Sequence, residues 1–152
     1  MTLEVVFPLP VSYVHLSAGE EPVAKLPAAP FIAVIVGALS VESDWRSTIS
    51  HWLVENRCLY ACSWGVEAEA WHDSIDWANL EADGFNVTEA SHVMTTWHHE
   101  DSLDEVFWFA GHAAHHGVIT LEHVLIVDIS PEAREAEMLS RYAQAQTLAD
   151  ED

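Results

Sequence analysis

The side chains best able to do chemistry fall in two short stretches. One is Ser63-Trp64-Gly65 running into Trp71-His72-Asp73-Ser74-Ile75-Asp76-Trp77-Ala78-Asn79, and the other is Thr95-Thr96-Trp97-His98-His99-Glu100. His72 and Asp76 are four apart, so on a helix they share a face that Asn79 and Asp83 continue. His98, His99 and Glu100 follow an apolar run that reads as a strand. Imidazole and carboxylate ligands together suit zinc, manganese or iron, and an open coordination position would activate water. His72, Asp76, His98, His99 and Glu100 are therefore the metal candidates, in a metal-dependent hydrolase with a His/Asp site at the strand ends. Against that reading, His98 and His99 point opposite ways if the backbone is extended. No paired-His helical motif is present, and 10 histidines spread along the chain make chance proximity common. A solvated helix flank and a polar loop explain the same residues and outweigh the metal site.

The aromatic residues point elsewhere. Trp77 lies opposite the Trp71, Ile75, Ala78 stripe of its helix, and Trp108 and Phe109 lie off the Leu103, Phe107, Ala110 stripe of the next. One stripe cannot bury them all, so either a further packing layer covers them or a partner does. With Trp64 and Trp97 beside the strand ends, Trp64, Trp77, Trp97, Trp108 and Phe109 are the binding candidates. Aromatics rimmed by carboxylates suit a basic protein surface.

The familiar catalytic and nucleotide signatures are missing. There is no Gly-x-Gly-x-x-Gly, no phosphate loop ending in Lys and Ser or Thr, and no Gly-x-Ser-x-Gly elbow. No acidic cluster follows the first strong strand, which argues against a phosphate acceptor.

Charge limits the partners. Asp and Glu number 25 against 5 Lys and Arg, a formal net charge of -20. Such a surface repels phosphate backbones and excludes direct nucleic-acid binding short of mimicry. Solubility or a salty cytoplasm, docking of a basic partner, and divalent-cation binding each account for it. Glu4, Pro8 and Pro10 interrupt the amino-terminal apolar run, so no signal peptide is expected. No apolar run approaches the roughly 18 residues a spanning helix needs. The expectation is a soluble, cytoplasmic protein with no membrane contact, for which a homodimer is also compatible. Cys58 and Cys62, on one strand, would share a face about 13 Å apart, too far to bridge, and read as buried small hydrophobes.

In chain order, Leu3–Phe7 and Val11–Leu16 are β-prone runs broken by Pro8 and Pro10, which suits an edge strand or hairpin arm. A linker from Gly19 to Pro30 follows. Phe31–Val36 is a doubly covered strand, and Val41, Trp45, Ile49 and Trp52 recur at helical spacing, with Ser40 or Ser43 available as a cap. Cys58–Cys62 is the next strand. Val66–Ala82 is a helix with Gly84 as its C-cap, and His92–Trp97 a third strand. Ser102-Leu103-Asp104-Glu105 opens a helix with a capping box that Gly117 stops. His123–Ile129 is a strand, and Ser130-Pro131-Glu132 reads as a helix start for a helix running toward Gln146. Alternation of this kind predicts a three-layer α/β fold: a mainly parallel sheet of four to five strands, helices on both faces, flavodoxin-like in general shape. Residues 1–30 form an N-terminal β segment and linker packing on the domain, residues 31–146 the α/β domain, and residues 147–152 an acidic tail.

The run Trp71-His72-Asp73-Ser74-Ile75-Asp76-Trp77-Ala78-Asn79-Leu80, with Val93-Met94-Thr95-Thr96-Trp97-His98 and Val106-Phe107-Trp108-Phe109-Ala110, resembles a small bacterial family known only as a domain of unknown function. The likeness covers most of the chain from Phe31 on and implies no activity. Missing catalytic signatures, set against surface charge and surplus aromatics, favour a non-enzymatic acidic binding module of the immunity or antitoxin kind, with no cofactor. The metal-dependent hydrolase, holding zinc or manganese, is the alternative.

Overall fold

The structure, a computed structural model, describes residues 8–148. The β-prone Leu3–Phe7 run and the Asp150–Asp152 end lie outside the described residues. In chain order the elements are β1 (Val11–Leu16), β2 (Phe31–Gly37), α1 (Ser43–Glu55), β3 (Cys58–Gly65), α2 (Ala68–Ala82), β4 (Met94–His98), α3 (Leu103–His112), β5 (Val124–Ile129) and α4 (Glu135–Ala145). The strands form one sheet in the order β1-β5-β2-β3-β4, and every neighbouring pair is parallel. The fold is therefore a three-layer α/β sandwich of the flavodoxin-like kind.

Strand position follows composition. β2 and β5 are buried along their whole length, as runs of Phe, Val, Ile and Ala must be when helices cover both faces. β3 is buried for six residues and opens only at Trp64-Gly65. β4, with two threonines and a histidine, takes an edge, and β1, which follows Pro8 and Pro10, takes the other. Each Ile, Val or Leu fully withdrawn from water contributes roughly 1.5–3 kcal/mol, so the central strands dominate the hydrophobic term.

Paired residues of parallel strands point the same way, so the register sorts side chains onto two faces. One face carries Tyr13, Asp128, Val36, Cys62, Trp64, Thr96 and His98, and the other Ser63, Thr95 and Trp97. α1 and α2 cover the second face with Ile49, Leu53, Trp71 and Ile75, where Trp45 meets Trp71 edge-on at 6.3 Å. α3 and α4 cover the first with Leu103, Phe107, Met138 and Tyr142, and Phe107 and Tyr142 lie 5.7 Å apart.

Several helix ends bear out their sequence signals. Ser102 and Glu105 exchange the reciprocal bonds of a capping box at α3. Gly84 takes a left-handed φ of 59° after α2. There the Phe85 amide bonds Leu80 O at 2.7 Å and the Gly84 amide bonds Glu81 O at 3.2 Å, a Schellman termination.

Other ends differ from expectation. Neither Ser40 nor Ser43 caps α1: Glu42 is the N-cap, Ser43 is the first helical residue, and the Ser40 hydroxyl donates to Glu67 at 2.9 Å. α3 ends at His112 rather than at Gly117, although Ala114 stays buried. Ser130-Pro131-Glu132 does not start α4, because the Ser130 hydroxyl donates to Glu132 O at 2.9 Å and the helix begins only after Arg134 has turned back to Asp128.

Cys58 and Cys62 are free, fully buried thiols of β3, and burial pushes both up to about 12. Among the described residues no helix is long and apolar enough to cross a membrane.

Candidate functional site

In an open parallel sheet, ligands gather at the carboxyl ends of strands near the point where strand order reverses. Here that point lies between β2 and β5: the chain steps outward through β3 to β4 and then returns to the far side of β2. The Ala38 amide bonds Ile129 O at 2.9 Å across the two strand ends. Beside them an open cleft of about 500 Å³ is lined by Gly37, Trp64, Gly65, Leu103, Arg134 and Arg141.

The cleft floor needs glycine. Gly37 pairs with Gly65 in the register, and the Val66 amide returns to Gly37 O at 2.8 Å. Gly65 has a φ of 95°, and a Cβ there would run into the Gly37 carbonyl. Two strand ends thus approach more closely than side chains permit. The next residue but one, Glu67, is also left-handed, with φ 59°. Its carboxylate accepts from the Val41 amide at 3.1 Å, from Ser40, and from Arg46 at 3.4 Å. The Val41 amide leads in holding that carboxyl below its usual range.

The two arginines of the cleft are both matched by acids. Arg134 forks onto Asp128 through Nη2 at 2.7 Å and Nε at 3.1 Å, and Arg141 Nε reaches Asp104 at 2.8 Å. Asp128 is wholly buried at the end of β5. The Tyr13 hydroxyl donates to it at 2.6 Å and accepts from the Arg134 amide at 2.8 Å. Burial first, and the Asp128 bond second, push the Tyr13 phenol up to about 12. Burial does the same to Tyr60. An acid whose folded value is raised stabilises the fold below its unfolded value and ceases to do so as pH rises through the folded one. Cys58 and Cys62, raised to about 12 from a thiol value of 9.0, behave the same way. Resistance to urea should therefore begin to fall above pH 9 and go on falling to about 12, with tyrosinate absorbance in the native protein delayed from pH 10 toward 12. Tyrosinate appearing at pH 10 without unfolding would contradict the packing of both rings.

The metal candidates do not converge. His72 and Asp76 do share a flank of α2, with His72 Nε2 3.7 Å from Asp76 Oδ2 and Nδ1 3.0 Å from Asp73 Oδ1. Thr95 on β4 donates to Asp76 at 2.7 Å, and the Trp97 ring meets the His72 ring at 4.6 Å. His98 lies on the opposite face of the same strand, against Phe109 of α3 at 5.6 Å. The sheet itself stands between His72 and His98. His99 and Glu100 are exposed in the loop, 4.0 Å from each other. Among the described residues no group of three His, Cys, Asp or Glu side chains is placed to hold a metal ion.

One network there escaped the sequence reading. His98 Nδ1 lies 2.7 Å from Asp101 Oδ2, and a carboxylate can only accept, so Nδ1 carries the proton. Nε2 lies 2.8 Å from Thr96 Oγ1, and in the neutral imidazole it accepts from the hydroxyl. The connectivity is that of hydroxyl, base and orienting acid. Phe109, however, packs on both His98 and Tyr60, at 5.6 and 5.9 Å, over the threonine between them. The Trp64 indole N–H donates to Asp101 O at 2.8 Å and fixes the same loop. A His-x-x-Asp spacing just beyond a strand was the available signal.

The five aromatic candidates separate onto different surfaces. Trp77 is 53% exposed on α2 and stacks edge-on with Phe85, itself 64% exposed, at 5.8 Å; Leu80 is exposed beside them. Trp97 is 41% exposed on β4 on the same side of the sheet. Trp108 belongs to α3 across the sheet and stacks on His112 at 5.0 Å, while Phe109 is packing rather than surface. Phe85 was missed because it stands alone beyond a helix end.

No curated protein and no solved structure matches the chain. A family described as "Domain of unknown function (DUF7684)" matches residues 11–145, which takes in β1 as well as the α/β repeat from Phe31 on and spans every strand and helix just described. The chain belongs to that DUF7684 family.

Proposed function

We propose that this protein is a non-enzymatic acidic binding module, immunity- or antitoxin-like in kind, that docks a basic protein partner. The observation that carries the reading is the Trp77–Phe85 pair with Leu80, exposed on α2. From Ala68 to Asp101 the chain has eight acidic residues and no Lys or Arg: Glu69, Asp73, Asp76, Glu81, Asp83, Glu89, Glu100 and Asp101. Of the five cationic residues in the chain, Arg46, Arg134 and Arg141 are matched by acids elsewhere. Apolar anchors inside an acidic rim give affinity through the rings and selectivity through the charge.

Capture from a host extract, followed by titration of the purified partner, tests this. The partner should be basic and its affinity should fall with salt. Trp77→Ala should cost about 2 kcal/mol, roughly thirtyfold in Kd. Trp108→Ala, across the sheet, should leave Kd unchanged. A neutral or acidic partner, or indifference to Trp77→Ala, would overturn the reading. Hydrolysis of a small activated ester that disappears in His98→Ala would instead favour a metal-free hydrolytic reading through Thr96, His98 and Asp101, distinct from the metal-dependent hydrolase expected from sequence.

A further inference from the structure

Among the described residues β4 pairs only with β3, and its outer edge presents backbone amides and carbonyls that no described strand pairs. Proteins normally guard such an edge with lysine, proline, a bulge or a covering loop. Met94-Thr95-Thr96-Trp97-His98 contains no lysine, proline or glycine, and its pairing with β3 is free of bulges. The opposite edge differs, since Pro8 and Pro10 lead into β1.

The open edge is also held rigid. Thr95 is fixed to Asp76 at 2.7 Å, Trp97 rests on His72 at 4.6 Å, and His98 is tied to both Thr96 and Asp101. An added strand would therefore not have to order the strand it joins. On the α2 side, such a strand would run past Trp97 and the carboxylates of Asp73 and Asp76, with Glu100 and Asp101 beyond the end of β4. Alternate residues of an extended chain face the same way. Lys or Arg at every second position would meet those carboxylates and the face of Trp97.

We propose that the edge of β4 receives an extended, lysine- or arginine-bearing segment of a basic protein as a sixth strand. The inference rests on the acidic-docking reading and deepens it by naming the mode: main-chain hydrogen bonds along the edge, with alternate cations against the acidic flank. A second copy of this chain fits poorly, because pairing β4 with β4 sets two cation-free acidic flanks against each other.

The probe is a capped peptide of alternating lysine and valine, compared with the same peptide N-methylated at every second residue. Amide exchange and backbone chemical shifts of the full chain are the readout. The lysine peptide should slow exchange of outward amides within residues 94–98. N-methylation should weaken binding by roughly tenfold or more at unchanged charge, and Trp97→Lys, which installs the missing guard, should do the same. Equal binding of the methylated peptide overturns the inference. Perturbation confined to Trp77 and Phe85 overturns it while leaving the acidic-docking reading intact. Failure of the lysine peptide to bind any surface also removes it, and capture of the partner then decides that reading separately. Concentration-dependent protection of β4 without peptide assigns the edge to a second copy and overturns it too.

Discussion

Arg134→Ala should lower the free energy of unfolding by about 3–5 kcal/mol, read as a shift of the urea midpoint at constant slope. Asp128 is entirely buried, and among the described residues the Arg134 fork supplies the only cation bonded to it. Removing the guanidinium leaves a buried carboxylate with one Tyr13 bond at 2.6 Å to compensate it. The loss is largely the cost of that uncompensated charge rather than the worth of the pair. Arg134 is itself about a third exposed (32%), which places the effect toward the lower end of the range. The double substitution Asp128→Leu with Arg134→Leu removes both charges and should recover most of the loss. A single-variant drop below about 1 kcal/mol would mean that Asp128 finds another partner or takes up a proton. The network also joins three elements, since Tyr13 lies on β1, Asp128 on β5 and Arg134 at the start of α4. Docking of β1 should therefore loosen in the same variant, seen as faster amide exchange across Val11–Leu16.

Gly65→Ala carries the second large effect, about 3 kcal/mol or more. Two penalties fall on one methyl group. At φ 95° an L side chain is strained, and the new Cβ meets the Gly37 carbonyl of the neighbouring strand. That carbonyl accepts from the Val66 amide at 2.8 Å, so moving it aside breaks the bond that closes the cleft floor. Gly84→Ala is the control: its φ of 59° imposes the same kind of strain, but nothing lies within 4 Å of the added carbon. The difference between the two variants, in urea midpoint, reads the close approach together with the added strain of φ 95° over φ 59°. Equal losses would mean that the strand ends can part at little cost.

The layered fold was readable because β2, β3 and β5 are apolar runs too short for helices, separated by stretches of 3.6-residue period. Faces were readable as far as one element reaches: Trp71, Ile75 and Ala78 are core and Trp77 is exposed, as spacing alone requires. Relations between elements were not. His72 and His98 look like neighbours in a list of strand ends, yet one strand's alternation puts them on opposite sides of the sheet. Trp77 and Trp108, both off their stripes, likewise belong to helices on opposite layers. The Asp128 network draws on positions more than a hundred residues apart, and a lone acid ending an apolar strand was its single local sign. The misplaced start of α4 has the same origin. Ser130-Pro131 carries a sound local signal, but the Arg134 fork outweighs it by holding the chain out of the helix for one more turn.

The sheet order has a consequence for how the molecule is made. Among the described residues β1 pairs only with β5, so Val11 waits for Val124. On a chain synthesised from its amino terminus, β1 leaves the ribosome before the other described strands and yet must wait for the latest of them. β2, β3 and β4 can assemble with α1 and α2 from nearly local contacts, whereas closing β1 onto the sheet spans most of the sequence and adds the slow, high-contact-order step.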